Sequence, residues 1–334
     1  MSPIRTWHRA KTPIQTIMSE TLGFSVACYR GDVPLLRGCL ASIRHFAPDA
    51  PICLIADGDF STRTFEKIYG VTTIRRKDVR SPDLRKWSFG YGLTKMIALW
   101  ESPFERFLHI DADAVLWGDI RKNIPLGDFD FVFNEPHELI TDAIQRSQYF
   151  DPTLMSPRFD LFPWQDCTFF NSGVFATKRN LLDLDDYMRL LEHQRAVPKA
   201  LLAGDQGILN FMVFNKLHRG EITATSTHLQ SVVPVLSKQE LESRFQFKGS
   251  HPVPWVKPSV VHWAGPKPWR ANTEIFRQPM DYFRTLGAQS SSKLSMLDSL
   301  FPAHTSMAID EWSHRVAPKK VAQIKGFIKR LIGR

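Results

Sequence analysis

From Phe24 onward, short apolar runs alternate with amphipathic stretches along this chain. Phe24-Ser25-Val26-Ala27-Cys28 predicts a strand, and Leu35, Leu36, Cys39, Leu40 and Ile43 recur at helical spacing, which predicts a helix over 33–46. Residues 51–56 predict a second strand, closed by the turn residues Asp57-Gly58-Asp59. A helix over 92–100 should feed the apolar run Phe107-Leu108-His109-Ile110, which ends in Asp111. Strand and helix alternating in this way predict an α/β layer with a largely parallel central sheet.

Further along, 129–133 predicts a strand, and 134–166 a long irregular stretch carrying Pro136, Pro152, Pro157 and Pro163. Loops of that length are usually functional, and this one is expected to cover the acceptor side of a cleft. Strand character returns over 168–177, interrupted by Asn171-Ser172-Gly173. Helices are expected over 181–193 and 206–214, and a last strand over 259–263. The resulting plan is a polar lead-in (1–22), one domain (23–287), and a Ser-rich linker with a basic tail (288–334).

In bulk the chain is ordinary for a globular protein, with 334 residues, 43% hydrophobic and 23% charged. No apolar run reaches membrane-spanning length, and the first residues lack the apolar core of a signal peptide; free thiols at the four cysteines suit a reducing cytoplasm, the expected location. Cys28, Cys39, Cys53 and Cys167 show no metal spacing and read as free thiols. The net charge of +9 favours anionic partners: nucleotides, phosphorylated glycans, nucleic acid or acidic membrane. In 319–334, Val321, Ile324, Ile328 and Leu331 fall on one helical face among lysines, which suits an anionic membrane surface. Docking of that face on the catalytic domain is the alternative.

Candidate chemistry begins at Asp111-Ala112-Asp113. In extended chain two carboxylates at i, i+2 share a face, and two like charges side by side call for a cation between them. A divalent ion with oxygen ligands answers that need; a solvated turn is the plainer alternative. His262-Trp263-Ala264-Gly265-Pro266-Lys267-Pro268-Trp269 offers an imidazole ligand, a glycine for close backbone approach and a point charge for phosphate, or else an aromatic loop closing the core. Asn171-Ser172-Gly173 reads as a strand bulge, Asp205 as an N-cap for the following helix, and Lys95 as a solvent-exposed helical lysine.

Taken in order, Lys95, Asp111-Ala112-Asp113, Phe170-Asn171-Ser172-Gly173-Val174, Asp205-Gln206 and His262-x-x-Gly265-x-Lys267-Pro268-Trp269 resemble glycosyltransferase family 8, the group containing glycogenin and the lipopolysaccharide galactosyl- and glucosyltransferases. The last motif has one residue fewer between glycine and lysine than that family's pattern. The first strand, ending Ala27-Cys28-Tyr29-Arg30-Gly31-Asp32, departs from its usual nucleobase loop. The resemblance implies a GT-A fold: a single Rossmann-like domain, a central mostly parallel sheet flanked by helices, and here a C-terminal helical tail. It implies Mn²⁺, or Mg²⁺, on Asp111, Asp113 and His262, with Lys95, Asp111, Gly265 and Lys267 at the donor. It further implies Asn171, Asp205 and Gln206 at the transferred sugar or acceptor. The expected reaction moves a sugar, with retention, from a UDP-sugar or another nucleotide-diphosphate donor to a glycan or lipid-linked glycan. Nucleic acid is then not an expected partner, and peripheral attachment to the inner face of a membrane is. A sugar-phosphate nucleotidyltransferase should show a glycine-rich basic loop near Gly31, which the chain lacks. A non-catalytic sugar- or membrane-binding protein with a vestigial site is the remaining alternative.

Overall fold

A computed structural model describes residues 22–90, 92–135, 142–202, 204–265, 267–268, 275–288 and position 309. The tail 319–334 lies outside them, as do Trp269 and most of the lead-in. The first half carries β1 (Gly23–Tyr29), α1 (Val33–Phe46), β2 (Ile52–Asp57), α2 (Arg63–Tyr69), β3 (Val71–Arg75), α3 (Pro82–Trp87), α4 (Ala98–Glu101), β4 (Arg106–Asp111), β5 (Ala114–Trp117) and β6 (Phe131–Asn134). Next come α5 (Asp142–Gln148), α6 (Pro152–Met155), β7 (Val174–Lys178), α7 (Leu184–Ala196), α8 (Asp205–His218), β8 (Ala224–Thr227) and β9 (Gln230–Val232). The last elements are α9 (Lys238–Arg244), the short pair β10 (Phe247–Lys248) and β11 (His251–Pro252), β12 (Ser259–His262) and α10 (Gln278–Ala288).

Seven strands form the main sheet in the order β3-β2-β1-β4-β7-β6-β8. β3, β2, β1 and β4 run parallel, β7 is antiparallel to both β4 and β6, and β8 is parallel to β6. β1 and β2 are apolar almost throughout because both sheet faces are covered, as parallel strands require. One face packs against α1 and α10 through Phe24, Val26, Leu36, Leu40 and Phe283. On the other face Phe107, Phe131 and Phe175 meet a phenylalanine cluster from the following segments, including Phe150, Phe169 and Phe214. A second sheet, β5-β12-β9, has β12 antiparallel to β5 and parallel to β9.

Several expectations change here. The helix expected over 92–100 is a 3₁₀ turn, Leu93–Ile97, followed by the single α turn of α4, and it starts from Gly92 at φ +82°. The stretch 134–166 is not wholly irregular, since it holds α5, α6 and a 3₁₀ turn at Trp164–Asp166. Its Pro152 sits in the first turn of α6 behind the capping Asp151, where a missing N–H costs nothing. The strand expected from 168 begins only at Val174. The side chain of Asn210 takes the place of a ladder partner there, accepting from Phe170 N and donating to Phe170 O, both at 2.9 Å.

Candidate metal and donor site

Asp111 ends β4, in the main sheet, and Ala114 begins β5, in the second sheet. Ala112 and Asp113 form the turn between them, so the two carboxylates do not converge by strand alternation as expected. They converge because the chain changes sheets. His262 ends β12 opposite Ala114, which brings its ring beside that turn. Nε2 of His262 lies 3.4 Å from Asp113 Oδ1 and 3.7 Å from Asp111 Oδ2. One ligand atom from each of the three falls within 4.8 Å of the others, a mixed oxygen and nitrogen set that fits a divalent ion. The cluster opens onto a cleft of about 660 Å³ at the C-terminal ends of the parallel strands, lined also by Tyr29, Asp57, Thr94 and Lys95. Open α/β sheets bind ligands at that edge.

Two lysines already neighbour the carboxylates. Lys95 is buried rather than solvated, and its Nζ lies 2.8 Å from Asp111 Oδ2 and 3.1 Å from Asp205 Oδ2. Lys267 pairs with Asp113 and donates to the Trp263 carbonyl at 3.1 Å. His109 Nε2 approaches Asp111 Oδ1 at 3.1 Å. Burial works against charge at both aspartates, but Lys95 and His109 hold Asp111 well below the usual carboxylate range. For Asp113, Lys267 and His262 outweigh burial and bring it down to about 2. Burial lowers the Lys95 ammonium, yet Asp111 and Asp205 more than compensate and raise it. Asp205 goes the other way: burial raises it despite Lys95. Of the three carboxyls it takes up a proton most readily.

Asp205 is also not the helix cap that was expected. Gly204 occupies the capping position, and Asp205 accepts from the Ser172 hydroxyl at 2.5 Å. A side chain on Gly92 would run into Asp205, so that glycine is needed for the approach as well as for its φ. Gln206 Oε1 accepts from Ser172 N at 3.4 Å, and Asn171 Oδ1 accepts from Gly173 N at 2.9 Å. Lys95, Asp111, Asp113, Asp205, His262 and Lys267 thus form one contiguous set, with Asn171 and Gln206 joined to it through their neighbours. Gly265, at φ +121°, has open space where a side chain would stand, as a close backbone approach requires.

Four residues were missed. Asp57 accepts from Gly90 N and Thr94 Oγ1, both at 2.8 Å, and an aspartate ending a parallel strand was its signal. His109 shares the strand alternation of Asp111, which was legible. Ser172 was noticed only as part of a bulge. Gln230, fully buried against His262, has no sequence signal at all.

No protein-family model matches the chain, and no curated protein sequence matches it significantly. Among solved structures, the galactosyltransferase LgtC in complex with donor and acceptor sugar analogues is similar at 15% identity, covering 81% of this chain and 97% of that one, with a TM-score of 0.52. The bifunctional glycosyltransferase WbbM is similar at 13% identity over 84% of this chain, which spans about half (51%) of that one, with a TM-score of 0.51. With seven strands in the order described and helices on both faces, this chain has the GT-A glycosyltransferase fold.

Proposed function

We propose that this chain is a metal-dependent glycosyltransferase acting on a nucleotide-diphosphate sugar, with Asp111, Asp113 and His262 holding Mn²⁺ or Mg²⁺. The observation that carries the reading is the convergence of these three side chains at the ligand-binding edge of a GT-A sheet, with two lysines beside them. When bound, the ion supplies Lewis-acid stabilisation for the charge that develops on the leaving diphosphate. Lys267 adds a cationic donor at the same charge once it exchanges Asp113 for a phosphate oxygen. Lys95 keeps Asp111 ionised and fixes Asp205 against it. Gly265 lets backbone N–H groups approach the diphosphate, and Asn171, Asp205 and Gln206 contact the transferred sugar or the acceptor. The donor is a UDP-sugar and the acceptor a glycan or lipid-linked glycan in this reading. Retention at the anomeric carbon needs no covalent residue in a front-face reaction, and none is assigned. Tail residues 319–334 would hold the enzyme at an anionic membrane surface.

Hydrolysis of a panel of nucleotide sugars, with and without Mn²⁺, tests the assignment. Metal-dependent release of one nucleotide diphosphate is expected. Asp113→Asn or Asp111→Asn should lower it by about two orders of magnitude, roughly 3 kcal/mol of transition-state stabilisation, without unfolding the protein. Near-wild-type turnover in either variant would remove the metal assignment.

A further inference from the structure

Beneath His262 a chain of hydrogen bonds starts from a group whose role is not open to choice. The backbone N–H of Gly173 donates to Asn171 Oδ1 at 2.9 Å, so that atom is an acceptor and the amide orientation of Asn171 is fixed. Gln230 Nε2 lies 3.3 Å from the same Oδ1 and 3.4 Å from the Asn171 carbonyl, two acceptors that a Gln230 oxygen could not satisfy. The nitrogen therefore faces Asn171, and Oε1 faces His262 Nδ1 at 2.8 Å. An oxygen acceptor there obliges Nδ1 to carry a proton, so Nε2, which faces Asp111 and Asp113, is the nitrogen left to bind an ion, giving up any proton it shares with those carboxylates as the ion enters. Gln230 and His262 are almost wholly buried, so water does not compete for this bond. Gly173 stands where a side chain would strike the imidazole, so the ring is packed as well as bonded.

From this geometry we infer that Gln230 is a positioning residue. It fixes the Nδ1–H tautomer of His262, presents Nε2 to a divalent ion, and ties that ligand to Asn171 through a single side chain. Partners of this kind on metal-bound histidines typically change metal affinity 10- to 100-fold when removed. Gln230 touches neither the ion nor the donor in this assignment; it acts through His262. The inference rests on the metal reading given above.

The test uses the full chain without nucleotide. Mn²⁺ affinity is read from the electron paramagnetic resonance signal of the free ion, and the tautomer from long-range ¹⁵N–¹H correlation, with His262→Ala identifying the ring. Wild type should carry a proton on Nδ1 of His262. Gln230→Leu should bind Mn²⁺ at least about 10-fold more weakly. Gln230→Glu, buried as the neutral acid, still accepts from Nδ1–H while its O–H donates to Asn171, and should restore binding to within about threefold of wild type. If Gln230→Leu fails to fold, the Gln230→Glu result and the wild-type tautomer decide. Loss of binding in Gln230→Glu, wild-type affinity in a folded Gln230→Leu, or a wild-type ring without a proton on Nδ1 would each overturn the inference. A wild-type protein that does not bind Mn²⁺ overturns the metal reading itself, a distinguishable outcome.

Discussion

Replacing Lys95 by methionine keeps most of the aliphatic stem and deletes the ammonium between Asp111 Oδ2, at 2.8 Å, and Asp205 Oδ2, at 3.1 Å. These side chains are 8%, 20% and 11% exposed, so solvent screens little of the loss. Removing one partner of a buried pair costs about 3–5 kcal/mol, because the remaining charge stays buried. Two carboxylates are stranded here, which favours the upper half of that range at pH 7. Asp205 offers relief by taking up a proton. Burial already raises it, and losing Lys95 raises it further. A carboxyl raised above its unfolded value of about 3.9 destabilises increasingly as pH climbs past that value, up to its folded pKa. The penalty should therefore be smaller at pH 5 than at pH 7. The wild-type lysine adds no slope there: it is raised, so its contribution is complete below about 10.4 and fades only as pH rises through its folded value. Urea unfolding in a chelator, followed by tryptophan fluorescence, reads this directly. With a slope of about 3 kcal/mol per molar, the midpoint should fall by about 1.3–1.7 M at pH 7. A fall below about 0.3 M, or one equal at both pH values, would refute the reasoning.

Gly173→Ala should weaken Mn²⁺ binding about 10-fold while circular dichroism stays unchanged, since the new methyl displaces the His262 ring. The backbone there cannot yield, because Gly173 N is bonded to Asn171 and its carbonyl accepts from Asp111 N at 2.9 Å; unaltered affinity would contradict this. Wild-type activity should prefer Mn²⁺ over Mg²⁺, and His262→Ala should narrow that preference, because an imidazole suits the softer ion. Equal activation by both ions, unaffected by His262→Ala, would take the histidine out of the ligand set.

Much of the fold was legible because the parallel strands and α1 follow simple periodicities. The helix read from Leu35, Leu36, Cys39, Leu40 and Ile43 has the bounds expected of it, Val33–Phe46. Reading failed where side chains replace backbone partners, as Asn210 does beside Phe170. It failed again where prolines start helices instead of interrupting them, as Pro152 does. At the site, residue types and order located Asp111, Asp113 and His262, but the reason given for the two carboxylates was wrong. Alternation along a strand was invoked, whereas a change of sheet brings them together. Lys95 looked like a surface residue because its partner Asp205 is 110 positions away, a proximity that local patterns do not encode. Gln230 was invisible for the same reason: its partners Asn171 and His262 come from different elements.

The turn at Asp111-Ala112-Asp113 has a mechanical consequence. One carboxylate is anchored at the end of the seven-stranded sheet, while the other leads into β5 and His262 ends the central strand of the three-stranded sheet. An ion gripping all three, as proposed, would act as a rivet across the joint between the two sheets. Its binding energy then adds to their mutual stability by mass action. Conversely, anything that lets the smaller sheet swing by an ångström loosens the grip without touching a ligand. The affinity of such an ion would then gauge how rigidly the two sheets are held together.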